Sequence, residues 1–278
     1  MKGIETGTQE LLCELSGRVA VVTLNKPHKK NALGDILTPA LRRLLPVLEQ
    51  RDDVGCVLLT GAGNAFCAGG DVTEMGDASA PRSTAERVQD LIVKQQTLTG
   101  VLYQLNKPTV AALPGAAAGA GLSLALACDL RIAADDAFVV TAFRNVGLTG
   151  DYGASWFLPR LIGLARAKAL FYRSTRVSAA EGLAMGLIDQ VYSAQTFRKD
   201  ALAYANDIAN GPTQALLSMK ANLQSGLQQS LDASFALEAQ HMIAAGAGAE
   251  AREAIAAFKE KRPPVFFPAT AQREDCYE

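Results

Sequence analysis

Three stretches of this sequence combine residue types and spacings that can do chemistry. The first, Gly61-Ala-Gly-Asn-Ala-Phe-Cys-Ala-Gly-Gly-Asp71, follows the apolar run Val54–Thr60. The second, Pro114-Gly-Ala-Ala-Ala-Gly-Ala-Gly-Leu-Ser-Leu-Ala125, follows Thr109–Leu113 and opens a helical pattern. Small residues let a ligand approach the backbone, and N–H groups at a helix start are free to meet an anion or a developing oxyanion. Either turn alone reads equally well as a tight connection. The first is no dinucleotide fingerprint, because GxGxxG needs a glycine where Phe66 stands and no helix opens there. The third stretch, Gly147-Leu-Thr-Gly-Asp-Tyr-Gly153, holds Asp151 between glycines. A carboxylate there can act as a general base, or it can satisfy its own backbone or cap the next helix.

The elements that must position these stretches alternate. Arg18–Leu24, Val54–Thr60, Thr109–Leu113, Leu130–Ala134 and Phe138–Thr141 are β-rich apolar runs. Asp35 can cap a helix to about Gln50, with Pro39 and Pro46 expected to bend or shorten it. Asp77–Ser83 reads as a polar loop ahead of a long amphipathic helix over Thr84–Leu105. Ser178-Ala-Ala-Glu181 is a capping box for a short helix that Gly186 can end. From there to Lys261 the chain is Ala/Leu/Gln/Glu-rich and helical, with a seam at Gly211-Pro212. The organisation expected is an α/β spiral core over 1–210, a helical unit over 211–265 and a loosely ordered tail over 266–278.

Composition narrows the function. The 278 residues carry 27 Lys+Arg against 28 Asp+Glu, a net charge of −1, which argues against a nucleic-acid or anionic-membrane partner. Five cysteines without a CxxC pair and only two histidines give neither a disulfide framework nor a metal site. The N-terminus lacks the apolar segment of a signal peptide, and Pro114, Gly115, Gly119 and Gly121 interrupt the longest apolar stretch. A cytoplasmic enzyme without metal is the expectation.

Taken together, Phe66-Cys-Ala-Gly-Gly-Asp71, the Pro114–Gly121 turn and Ala127-Cys-Asp129 resemble the crotonase (enoyl-CoA hydratase/isomerase) superfamily. Asn31-Ala-Leu33, Lys107-Pro108, Leu158-Pro-Arg160, Ala180–Leu187 and Phe258–Arg262 extend the resemblance from about Val19 through Arg262. It implies a spiral of ββα units with a helical C-terminal trimerisation unit, assembled as a homotrimer or dimer of trimers. The implied substrate is an acyl-CoA thioester, with coenzyme A carried in as part of it and no other cofactor. The oxyanion hole maps to the backbone N–H groups of Gly70 and Ala120. Substrate contacts map to Ala32, Ala68, Asp71, Val72, Ser123, Phe143, Tyr152 and Trp156, and Lys261 would reach a CoA phosphate from a neighbouring subunit.

Family hydratases use two glutamates, and their slots fall here at Ser123 and at Phe143 or Ala142. Neither holds a carboxylate, and Ser is no substitute for Glu as a base. Asp151 lies where phenylacetate-pathway epoxy/oxepin-CoA isomerases and other family isomerases carry an acidic residue. The reading is an enoyl-CoA isomerase with Asp151 as its base, and the alternative a hydratase with an atypical site. Outside that class stand a serine hydrolase built on Gly121-Leu-Ser-Leu-Ala125 with His241, and a non-catalytic CoA-binding protein.

Overall fold

The strands of this chain sort into two different sheets, the longest of them all in one and only short strands of two or three residues in the other. The computed structural model describes residues 2–71 and 83–267. In chain order, β1 (Lys2–Gly3), β2 (Leu11–Ser16) and β3 (Val19–Leu24) precede α1 (Leu37–Glu49), β4 (Cys56–Gly61) and β5 (Ala65–Cys67). A crossover of α2 (Thr84–Gln95), a π turn (Gln96–Gly100) and α3 (Val101–Gln104) leads to β6 (Thr109–Leu113) and β7 (Ala116–Ala118). Next come α4 (Ala120–Leu126), β8 (Leu130–Ala134), β9 (Phe138–Val140), α5 (Ala154–Ile162) and α6 (Leu164–Arg173). Then β10 (Val177–Ser178), α7 (Ala179–Ala184), β11 (Gln190–Tyr192) and α8 (Phe197–Ala209) complete the mixed region.

One sheet runs β1-β2-β3-β4-β6-β8-β11, antiparallel over its first three strands and parallel thereafter. The other runs β10-β9-β7-β5, with β5, β7 and β9 parallel. Each repeat places a longer strand in the first sheet, turns a corner into a short strand of the second, and returns through helix. β4 and β6 are buried at every position, as strands covered on both faces require. The corners are tight: a Cβ on Gly115 would lie 1.9 Å from the Asn64 carbonyl oxygen.

Several local expectations change. The N-cap of α1 is Ile36, one residue beyond Asp35, and no side chain supplies the cap bond. Pro39 falls in the first turn, where its missing N–H is an orphan anyway, whereas Pro46 in the interior forfeits a bond to the Arg42 carbonyl. The expected helix over 84–105 is widened by the π turn. It starts at a capping box, Ser83 with Glu86, that the sequence displays as Ser-Thr-Ala-Glu. The stretches around residues 65 and 116 are not bare turns, since each forms a strand before the chain moves on. The Ser178–Glu181 capping box and the Gly186 terminator are present as read.

The chain divides into two compact units, 1–206 and 207–278. That division falls inside α8, a few residues before the Gly211-Pro212 seam. The second unit carries α9 (Thr213–Gly226), α10 (Leu231–Gly246) and α11 (Ala249–Glu260). After α11, Val265 N–H donates to Glu253 at 2.8 Å and Arg262 pairs with the same carboxylate. The rest of the expected tail, 268–278, lies outside the described residues. No helix among the described residues is long and apolar enough to cross a membrane.

Candidate active site

Gly70 and Ala120 are brought together by strand pairing. Because β5 and β7 lie side by side, the loop after Cys67 runs against the start of α4. A Cβ on Gly69 would sit 3.0 Å from the Ala118 carbonyl oxygen and 3.5 Å from the Ala120 nitrogen. Gly119, the N-cap of α4, has φ 52° and ψ −127°, a conformation that a Cβ would oppose. The 68–71 loop is zipped to 30–33: Ala68 N–H donates to Lys30, Leu33 N–H to Gly69 and Asp71 N–H to Leu33, at 2.7 to 2.9 Å. That pattern leaves the Gly70 N–H pointing away from the zip, and the Ala120 N–H is one of the orphans of the first turn. Among the described residues neither meets an acceptor. Two free backbone donors on adjoining loops can stabilise an enolate oxygen, each typically worth ~3–4 kcal/mol.

Asn31 explains why the 30–33 loop holds its shape. It is fully buried at φ 57°, a left-handed conformation Asn tolerates. Its carboxamide accepts from Lys26 N–H at 3.0 Å and donates to the Ala62 and Ala65 carbonyls at 2.9 Å. Buried Asp71 anchors the other side, with its Oδ2 2.7 Å from Lys29 Nζ and 3.2 Å from Lys26 Nζ. The geometry gives Asp71 a latching contact to both lysines. Ala32 is buried and Ala68 exposed beside this latch. Val72 lies outside the described residues.

Asp151 sits in a loop of positive φ: 101° at Gly150, 51° at Tyr152 and 84° at Gly153. Its Oδ1 is buried with no hydrogen-bond partner, and burial alone pushes the carboxyl above the ordinary carboxylate range. The loop rests on α4. Ser123, fully buried, donates from Oγ to the Asp151 carbonyl at 3.0 Å and lies 3.3 Å from the Gly119 carbonyl. Both contacts are to main chain, and among the described residues no hydrogen bond joins this hydroxyl to a histidine. His241 belongs to the second unit, with its Nδ1 2.6 Å from Asn222 Oδ1.

Phe143 joins the two parts of the site. It stacks on Phe171 with centroids 5.9 Å apart. A Cβ on Gly119 would lie 3.8 Å from its ring and one on Gly150 3.3 Å. Tyr152 Oη is 3.5 Å from Arg42 Nη2, and the phenol is pushed up chiefly by burial. The Trp156 ring meets Tyr103 and Phe157 edge-on, and the Arg160 guanidinium covers it at 3.7 Å. Lys261, the exposed C-cap of α11, is a residue of the second unit. Sequence reading missed two contributors, Arg42 and Gln95. Gln95 Oε1 accepts from Tyr152 N–H at 2.8 Å. Both are polar residues on amphipathic helices, with no local pattern to mark them.

Comparisons with known proteins bear on the family and the fold. The family model described as Enoyl-CoA hydratase/isomerase matches residues 14–268. An Escherichia coli protein named 1,2-epoxyphenylacetyl-CoA isomerase is 36% identical over 261 residues, 92% of this chain and 97% of its own length. A Rhodobacter capsulatus protein named "Probable enoyl-CoA hydratase" is 39% identical over 257 residues, 91% of this chain and 96% of that protein. A crystal structure of an enoyl-CoA hydratase from Polaromonas sp. JS666 superposes with a TM-score of 0.85 at 33% identity, covering 91% of this chain and 98% of that one. This chain has the crotonase fold and belongs to the enoyl-CoA hydratase/isomerase family of acyl-CoA enzymes.

Proposed function

We propose that the protein is an enoyl-CoA isomerase, moving a double bond by a 1,3 proton shift with Asp151 as its base. The observation that carries this reading is the Asp151 carboxyl: half-buried, with one oxygen unpartnered, on a loop seated against α4. The two slots where a family hydratase would hold glutamates contain Ser123, committed to backbone carbonyls, and Phe143, stacked on Phe171.

The thioester oxygen would accept from the Gly70 and Ala120 N–H groups. As Asp151 removes a proton, the charge spreads into a dienolate with negative character at both the α and γ carbons. The same carboxyl can then return the proton at the other end, so one acid–base group suffices. Hydration differs, since one group must activate water and usually another protonates the α carbon. The upward displacement of the Asp151 carboxyl makes it a stronger base once ionised. Phe143 and Tyr152 would line the acyl pocket, Ala32 and Ala68 would flank the CoA, and Lys261 would meet a CoA phosphate across a subunit boundary. Proton transfer of this kind needs no redox group or metal.

Self-association is part of the proposal. Leu223, Met242, Ile243 and Phe258 of the second unit are 74 to 86% exposed, more apolar surface than a free helical unit ordinarily leaves in water. Sedimentation at micromolar concentration should give a trimer or hexamer, and a monomer would contradict it. The activity test is incubation with 2-enoyl-, 3-enoyl- and aryl-CoA thioesters, with products resolved by mass spectrometry. Isomerisation leaves the mass unchanged. A product heavier by one water would favour the hydratase, and CoA binding without turnover the non-catalytic protein.

A further inference from the structure

Two side chains from different helices grip one peptide group of the Asp151 loop. The peptide between Asp151 and Tyr152 offers a carbonyl on one edge and an N–H on the other. Ser123 Oγ, from α4, donates to the carbonyl at 3.0 Å. Gln95 Oε1, from the end of α2, accepts from the N–H at 2.8 Å. The Ala154 N–H also reaches the carbonyl, at 3.2 Å.

This peptide needs holding. Tyr152 has φ 51°, disfavoured for a residue with a side chain, and the glycines on either side of the pair remove local stiffness. Rotating the peptide plane changes ψ of Asp151 and φ of Tyr152 together, and whatever part of that change is not compensated displaces the Asp151 Cα and its carboxyl with it. Gln95 is the last residue before the π turn Gln96–Gly100, and π turns inside helices are frequent at functional sites. Ser123 stands three residues after Ala120 on the same short helix, so its bond ties the loop to the element that presents a backbone donor.

We infer that Ser123 and Gln95 act as a clamp on the Asp151–Tyr152 peptide, aiming the Asp151 carboxyl at the substrate held by Gly70 and Ala120. They are positioning residues, and Ser123 serves through the backbone rather than as a ligand contact. The inference rests on the reading of Asp151 as the base. A misplacement on the order of 1 Å costs about a hundredfold in rate, so a loosened clamp lowers kcat without weakening CoA binding.

The test compares Ser123→Ala, Gln95→Met, Gln95→Glu and Asp151→Asn with the wild type, using cis-3-hexenoyl-CoA as the probe. Thermal melting checks that each variant is folded. Gln95→Met should lose kcat by about ten- to a hundredfold with KM within about twofold. Ser123→Ala should lose less, because the Ala154 N–H still holds the carbonyl. Gln95→Glu keeps an oxygen for the Tyr152 N–H and should recover most of kcat at alkaline pH. The clamp is overturned alone if Asp151→Asn is inactive while Ser123→Ala and Gln95→Met keep the wild-type kcat, or if their losses fall entirely in KM. If Asp151→Asn matches the wild type, or the wild type neither isomerises the probe nor exchanges its protons with solvent, the base reading fails and takes the clamp with it.

Discussion

The two N–H donors of this site and its one carboxylate are held in place by different means. Gly70 and Ala120 sit next to main chain held by backbone hydrogen bonds, through the short, bulged β5–β7 ladder and the zip between 30–33 and 68–71. Side chains act on them only by bracing that main chain, Asn31 under the 30–33 turn and Asp71 against Lys26 and Lys29, and none of these bonds is made to the two donors themselves. Asp151 sits on a loop whose backbone conformations favour glycine, steadied by single side-chain bonds from Ser123 and Gln95. The difference matches the tasks. An oxyanion donor works best if it never reorganises. A base that must reach two carbons of one substrate needs a side chain, and a side chain needs to be aimed.

Perturbing the stiff region should have the largest consequences. Gly70→Pro deletes one donor and clashes with the paired loop, so turnover should be abolished; full activity in a thioester assay would remove Gly70 from the site. Gly121→Ala probes packing rather than chemistry. Its Cβ would lie 2.3 Å from the Cys67 carbonyl oxygen, so α4 must lift off β5. The expected cost is about 3 kcal/mol. Calorimetry should then show a melting temperature lower by about 6–12 °C, and an unchanged value would contradict the close approach.

The loop should answer in the opposite direction. The folded-state pKa of Asp151 is raised by burial, so the charged form disfavours folding. Below the unfolded pKa both states are protonated and nothing is lost. As pH rises from there through the folded pKa, stability falls, and above it the deficit is constant. Asp151→Asn should therefore melt slightly higher than the wild type at neutral pH, with the gain vanishing in acid. The catalytic rate should rise with pH through the same raised pKa. A variant less stable than the wild type at neutral pH would break the contrast.

How far the sequence was legible follows the same division. The strands were readable because buried parallel strands are continuous apolar runs, and the family motifs carried the donors because small residues mark close backbone approach. Asn31 and Asp129 were noticed as motif letters. In the structure Asn31 braces a turn, and Asp129 accepts from the Thr109 N–H and hydroxyl at 2.8 and 2.9 Å. Short strands at Ala65–Cys67 and Ala116–Ala118 were hidden, since three residues are too few to display a period. Gln95 was invisible because its role depends on a π turn and on a loop 57 residues away. The partners of Trp156 were not legible either: from α5 its ring meets Tyr103, and the Arg160 guanidinium covers it.

The central claim is that one carboxylate moves one proton between two carbons. It is tested by incubating wild type and Asp151→Asn with cis-3-hexenoyl-CoA in D₂O and following product and isotope content by mass spectrometry. The wild type should give the 2-enoyl thioester with no added water, carrying deuterium at the γ carbon only to the extent that the protonated Asp151 exchanges with solvent before it returns the proton. Asp151→Asn should be slower by ~10²–10⁴-fold, the usual worth of a general base, while still binding CoA. Near-wild-type turnover by Asp151→Asn, or a wild type whose main product carries an added water, would contradict the account.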